Sequence, residues 1–410
     1  MDNNTQKNMQ KTGLVAATAL ITGNLVGAGI LGLPINTGLA GLGPSMLAIL
    51  AGAGLMYLSA SILGDEAARN RSETFDYPSM YEALLGKTGK WIAMAANLLI
   101  LYGLLTAYFT GGAKILASLF GMESRLSLVM LLFSLPLIAL TSINLSFLAR
   151  LNTLFIAVLA LLFAALLALG AGHVQVKNMA YMDWRYLPAT LPIIITAFHF
   201  HNIIPTISTS LAWDRTQYRK AVFWGMALAF AMNGLWILVG IGVIPLTGEN
   251  SLLSSWETNM PATVPMAFHL QSQTFTLCAL AFALVAISTS FLANGLGLQN
   301  FIRDLLTNTF HIESRSLVLA LTFLPPLAIA LVYPDIFLKA LDLVGGVGIV
   351  ILFGLLPLLI ALRDPNRSRV VRGICVLAFS FALAILAMEI LQEAGLLRLR
   401  PWVEYYKIDF

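Results

Sequence analysis

Residues 23–34 read Gly23-Asn24-Leu25-Val26-Gly27-Ala28-Gly29-Ile30-Leu31-Gly32-Leu33-Pro34, in the middle of an apolar run from 13 to 38. A run of that length spans the hydrocarbon core of a bilayer, which takes about 20 residues. Its centre, however, is poorly suited to a continuous helix. Glycine weakens a helix, and proline removes one of its hydrogen bonds. A second apolar run, 186–212, carries Phe198-His199-Phe200-His201-Asn202-Ile203-Ile204-Pro205 at its centre. Two histidines and an asparagine at that depth are costly in lipid, so they are expected to face a cavity. Both runs are expected to unwind halfway across the membrane.

Outward from these stretches, the rest of the chain has the same character. Of its 410 residues 58% are hydrophobic and 11% charged. Soluble domains carry about 25% charged residues, so most of this surface is matched to lipid. Eleven spans are expected, over 13–38, 43–64, 91–120, 125–144, 147–172, 186–212, 220–247, 272–303, 316–333, 335–362 and 370–395. The longest connections, 65–90 and 248–271, leave no room for a soluble domain. The first apolar run reads as a retained helix, not a cleaved signal. No basic run of the nucleic-acid-binding kind is present, nor a Gly-x-x-x-x-Gly-Lys-Ser/Thr phosphate loop. Cys278 and Cys375 lie far apart in apolar runs and do not suggest a disulfide framework.

Lysine and arginine placement gives the orientation. With the N-terminus cytoplasmic, inside segments hold 16 of these residues and outside segments 6, Lys114 and Lys339 being within spans. The C-terminus is then external. The two interrupted spans would open two five-helix halves, which points to an inverted-repeat architecture. The expected organisation is a cytoplasmic tail over 1–12, repeats over 13–172 and 186–362, an added span over 370–395 and an external tail over 396–410.

At these residues the chain resembles the tryptophan/tyrosine permeases of bacteria. The motifs are Gly23-x-x-x-Gly27-Ala28-Gly29-Ile30-x-x-x-Pro34 and Phe198-x-Phe200-His201-x-x-x-Pro205, with Leu105-Thr106-Ala107-Tyr108 and Gly111 in span 3. Thr289-Ser290-Phe291-Leu292 with Gly295-Leu296-Gly297-Leu298, Thr322-Phe323-Leu324-Pro325-Pro326-Leu327-Ala328 with Tyr333-Pro334, and the closing Ala394-Gly395-Leu396-Leu397 follow in order. The resemblance covers nearly the whole chain. It implies the all-α leucine-transporter architecture, a bacterial inner-membrane location and proton-coupled uptake of an aromatic amino acid, without a cofactor or bound metal. His199 and Asn202 depart from the family pattern, where small residues are usual, and add polarity beside the pocket.

An amino-acid zwitterion needs partners for a carboxylate and an ammonium group. A broken helix offers free N–H groups at the start of its second half and free carbonyls at the end of its first. The N–H groups around Gly27, Ala28 and Gly29 suit the carboxylate. The carbonyls around Asn24, Leu25 and Val26 suit the ammonium or a cation. Tight helix packing through small residues is the competing use of these glycines. Phe198 and Phe200 are candidates for an aromatic wall. They stand about 200° apart on a regular helix, so one of them, Phe200 by preference, is expected to face the pocket. Tyr108 is preferred to Tyr102 for reaching it from span 3. Asn202 and Ser290 complete the expected substrate set.

His201, and secondarily His199, are candidates for carrying a coupling proton, since histidine titrates near physiological pH. A structural histidine bonded to a carbonyl is the plainer alternative. Ser288, Thr289 and Ser290 offer hard oxygens for a sodium ion, or simply bond back to their own helix. Asp342 either titrates during transport or pairs with Lys339, three residues before it. Lys114 is expected to snorkel to the interface. Sodium coupling, a passive amino-acid channel or sensor, and a membrane-embedded enzyme stay open as alternatives. The mid-span position of the polar residues argues against the enzyme.

Overall fold

The computed structural model describes residues 3–70, 77–141, 145–307 and 311–405. Among them, ten helices are long and apolar enough to cross a bilayer. The eleventh span is the bent pair Gly13–Leu25 and Ala28–Gly38, turned by 43° at its break. The expected eleven spans are therefore present, in a leucine-transporter-like arrangement.

Span 1 consists of α1 (Asn3–Leu25), a 3-10 turn (Ala28–Leu31) and α2 (Leu33–Gly38). Between them Gly27 is extended, at φ −89° and ψ −157°. Pro34 falls in the first turn of α2, where its missing N–H breaks no helical bond. The sixth span follows the same plan. Helix α7 (Leu191–Ala197) and α8 (Ile204–Ser210) each carry a proline in the first turn, Pro192 and Pro205. Phe198–Phe200 between them are out of helix, followed by a 3-10 turn over His201–Ile203. The two breaks touch: a Cβ on Gly29 would stand 3.2 Å from Ala197 Cα.

Long helices hold these pieces in place. Helix α9 (Arg215–Val243) packs along both α1 and α3 (Leu42–Asn70), and Tyr218 of α9 donates to Ala60 O at 2.8 Å. Helix α12 (Gln273–Leu305) packs on α4 (Tyr77–Phe120) and on α6 (Leu145–Ala171), while α5 (Leu126–Leu140) and α13 (Arg315–Val332) flank α4. These contacts bring the 3-10 turn of span 1 against both α7 and α12.

Several segments differ from expectation. The 65–90 connection is not all loop, because α4 begins at Tyr77 and turns at Gly86, whose φ of 79° only glycine adopts easily. Tyr81 there donates to Leu352 O at 2.6 Å. The 248–271 connection folds as a hairpin of α10 (Leu252–Glu257) and α11 (Thr263–Leu270). Its turn hangs on span 1, with Ala262 N donating to Leu31 O at 2.8 Å.

The tenth span is also irregular. It runs α14 (Phe337–Leu343), a π-helical stretch (Val344–Leu355) and α15 (Leu356–Arg363). The wide turns let Gly345 lie directly on Pro192 O and the Thr196 hydroxyl, leaving no room for a Cβ. Lys339 and Asp342 do not pair. Lys339 lies 3.2 Å from Glu393 of α16 (Arg369–Glu393), and Asn36 of α2 donates to both oxygens of Asp342 at 3.0 Å. Three-residue spacing permitted the pair, but neighbouring spans supply nearer partners for both. Lys114 does not snorkel either. Its side chain is 6% exposed, its Nζ donates to Thr258 O at 2.6 Å, and Asp335 lies 2.9 Å away. Acceptors on the hairpin and on the loop after α13 hold it inside.

Past the last span the chain returns to the loop between α6 and α7. Trp402 N donates to Asp183 Oδ2 at 3.0 Å, and the Arg185 guanidinium lies 4.9 Å from the Trp402 ring centroid. Asp183 N in turn donates to Ala40 O at 2.8 Å, just past α2. Helix α17 (Trp402–Tyr405) follows.

Candidate functional site

A cavity of about 90 Å³ lies where the two breaks meet. Span 1 lines it with Leu20, Gly23, Asn24, Leu25, Gly27, Ala28 and Gly29, and span 6 with Thr196, Ala197, His199 and Asn202. Leu104 and Tyr108 come from α4, Ile156 and Leu159 from α6, and Thr289, Ser290, Ala293 and Asn294 from α12.

The break in span 1 presents its peptide groups to this cavity. The first bond of the 3-10 turn is Ile30 N to Gly27 O, at 3.2 Å, so the N–H groups of Ala28 and Gly29 precede the ladder and have no acceptor within it. Ala28 N donates to Ser290 Oγ at 3.2 Å, which docks α12 on the break. Gly27 leaves room for that approach, because a Cβ would stand 2.9 Å from Ser290 Oγ and 3.2 Å from Asn24 O. Asn294 lies one turn beyond Ser290. Its Nδ2 donates to Ser290 O at 2.9 Å and to the Tyr108 hydroxyl at 3.3 Å, while its buried Oδ1 has no partner. One side of the cavity thus offers the Gly29 N–H beside the Ser290 hydroxyl, and the other an unpartnered amide carbonyl. Such a pairing is complementary to a carboxylate and an ammonium group on one small molecule.

The residues expected at the site fall into two groups. Asn24, Leu25, Gly27, Ala28, Gly29, Tyr108, His199, Asn202, Thr289 and Ser290 share the cavity wall. Phe198, Phe200 and His201 are fully buried but are not among the lining residues. His201 instead stacks on His199, with ring centroids 6.0 Å apart and planes 4° from parallel, and both rings pack on Phe353. Tyr77 donates to His201 O. Unwinding rotates His199 and Asn202 to the cavity, and the period of a regular helix does not foretell that. Thr289 Oγ1 bonds back to Ala286 O at 3.0 Å, and Ser288 stands off the wall. Asp342 lies outside the cavity, against Asn36.

Asn294 and Thr196 are polar lining residues that the sequence reading missed. Asn294 follows Ser290 by four positions, the spacing that puts two residues on one helix face, and this was the available signal. Thr196 donates to Leu341 O at 2.8 Å and so links the cavity wall to the tenth span.

Two broken spans enclosing a midplane cavity, within eleven spans, define a membrane transporter of the leucine-transporter class. The chain belongs to the tryptophan/tyrosine permease family, whose model matches residues 10–391. It is 29% identical over 341 residues to the tyrosine-specific transport system 1 of Haemophilus influenzae, covering 82% of this chain and 84% of that protein. It is 26% identical over 369 residues to a tryptophan-specific transport protein of Shigella flexneri, covering 86% and 87%. Its fold matches a crystal structure of the Eremococcus coleocola manganese transporter with a TM-score of 0.62, covering 96% of this chain and 90% of that one at 15% identity.

Proposed function

We propose that this chain imports aromatic amino acids by proton symport, alternating access around the cavity at the two breaks. The observation that carries this reading is that one small cavity is lined by Gly29, whose N–H precedes the 3-10 ladder, by Ala28, whose N–H is held by the Ser290 hydroxyl, and by Asn294, whose carbonyl is unpartnered. The substrate carboxylate takes the Gly29 N–H and the Ser290 hydroxyl, which itself accepts from Ala28 N. The ammonium takes Asn294 Oδ1 and the carbonyls near Asn24 and Leu25. The names of the relatives, tyrosine- and tryptophan-specific, support an aromatic substrate.

The ring is placed on the apolar flank of Leu20, Leu104, Ile156 and Leu159. A space of about 90 Å³ suits a few waters, not a bound indole or phenol. Ile156 and Leu159 also line an apolar cavity of about 550 Å³ beside Trp224 and Met232. Turning those two side chains joins the spaces and admits a ring. The proposed coupling groups are His199, His201 and Asp342. Sodium coupling through the α12 hydroxyls gains no support from Thr289, which is occupied by its own helix. The proposed halves are 13–172 and 186–362, in a bacterial inner membrane with the N-terminus cytoplasmic and the C-terminus external.

The test is uptake of labelled tyrosine and tryptophan into liposomes containing the purified protein. One charge moved across 100 mV supplies about 2.3 kcal/mol, enough for roughly fiftyfold accumulation of a neutral zwitterion. Accumulation under a proton gradient is expected. Accumulation only under a sodium gradient refutes the coupling, and equilibration without accumulation identifies a channel.

A further inference from the structure

Span 11 carries a carboxyl that an appended anchor does not need. Glu389 lies in α16 with 5% of its surface exposed, and no hydrogen bond or ion pair reaches it from the described residues. Its side chain rests on Gly346 of the π-helical stretch, where a Cβ would fall 2.7 Å from Glu389 Cγ and 3.0 Å from Cδ. Gly346 is four residues beyond Asp342, so both acids lie along the same stretch of the tenth span.

The polar atoms gathered there are unbalanced. Asp342 and Glu389 bring four carboxyl oxygens, and Asn36 Oδ1 is a further buried acceptor without a partner. The bonded donor in the group is Asn36 Nδ2, shared between the two oxygens of Asp342. Asn36 itself is 2% exposed. The charged groups facing Asp342 are Glu389 and Glu393, and those facing Glu389 are Glu393 and Lys339. Lys339 and Glu393 lie 3.2 Å apart and more exposed, and so balance each other. Helix α7 contains no titratable residue, and α4 meets this stretch with Ile100 and Gly103. Two carboxyls within a turn of each other along an apolar span, with one amide N–H between them as donor, are costly to keep both ionised. A proton supplies the missing donor and removes one charge. A sodium ion would want oxygen ligands, yet the group facing Asp342 is an amide N–H.

We propose that Asp342 and Glu389 together bind one exchangeable proton, and that this is the proton moved in each transport cycle. The proposal rests on the symport reading above and assigns the carrier within it. The pair is joined to both broken spans. Asn36 belongs to α2. Leu341, next to Asp342, accepts the hydroxyl of Thr196, which lines the substrate cavity. Loss of the proton leaves both carboxyls charged, strengthens the hold on Asn36 and so shifts α2 against α7.

The experiment uses the full chain in liposomes with a lumenal pH dye and labelled tyrosine. Glu389→Gln is expected to exchange tyrosine between equal pools within about twofold of the wild type. Its gradient-driven accumulation is expected to fall from up to about fiftyfold at 100 mV to none, and its substrate-linked proton uptake to vanish. Accumulation at the wild-type ratio in that variant overturns the assignment while symport stands. Failure of the wild type itself to accumulate tyrosine in a proton gradient overturns the symport reading, and with it the role given to this proton. Infrared spectroscopy tests the proton's location separately. The carbonyl stretch of a buried protonated carboxyl is expected in the wild type at neutral pH and should be lost in Asp342→Asn and Glu389→Gln. Its persistence in both variants, or its removal by sodium chloride, overturns the site.

Discussion

Gly29 illustrates how one missing methyl group holds the site together. Its Cα faces backbone, with Ala197 Cα at 3.2 Å and Thr196 C at 3.6 Å from where a Cβ would stand. A side-chain neighbour can swing aside; backbone of another span cannot. Gly29→Ala is expected to cost roughly 1–3 kcal/mol through overpacking. It should separate the breaks and weaken tyrosine binding at least tenfold, as read by equilibrium binding with a melting curve alongside. Gly54→Ala is the control, since open space surrounds Gly54 in α3. Unchanged binding in Gly29→Ala would mean that the contact is incidental to the site. Gly29 was legible in the sequence because glycine within an apolar run reads as punctuation. Asn294 was not, since one amide on a small-residue helix reads as packing until Ser290 is known to dock on Ala28.

Among elements, the α10–α11 hairpin is joined to the bundle by a few nameable bonds. It is tied to the transmembrane bundle by Ala262 on Leu31 and by Lys114 on its carbonyls and on Asp335. Charge-assisted bonds of this kind contribute about 1.5–3 kcal/mol each, offset by the desolvation of a buried ammonium. Lys114→Met is expected to loosen the hairpin. In a background lacking Cys278 and Cys375, a Thr258→Cys reporter should then react about tenfold faster with a water-soluble maleimide, and an unchanged rate would show that the bonds of Ala262 to Leu31 and of Lys339 N to Asn259 suffice. Neither this hairpin nor the π-helical stretch was legible in the sequence. The hairpin helices are six and eight residues long, too short to establish a period. Val344–Leu355 has the composition of any buried span, and the contact its wide turns make with Pro192 and Thr196 lies about 150 residues away in the chain, beyond any local signal. Spans 1 and 6 were legible because Gly and Pro act locally, whatever packs around them.

At the scale of the whole molecule, substrate binding is stability. A ligand that binds only the folded chain adds about 2.7 kcal/mol at a hundred times its dissociation constant. Tyrosine or tryptophan is therefore expected to raise the melting temperature of the detergent-solubilised chain, with leucine giving no comparable shift. Equal protection by leucine would remove the case for an aromatic cargo. The number and order of the spans were legible because each apolar run sums over about twenty residues. The acid on span 11 escaped notice because Glu389 lies near the end of its span, where a charge reads as interfacial.

The tether from Trp402 to Asp183 bears on how sidedness can be measured. A reporter enzyme or epitope joined ahead of Trp402 would cut that tether and release the loop that also grips Ala40 beside α2. Such a fusion would report on a weakened protein instead of on the side where its tail emerges. Fusion junctions belong beyond Tyr405, and a truncation series stepping back through Trp402 should lose expression abruptly at that residue.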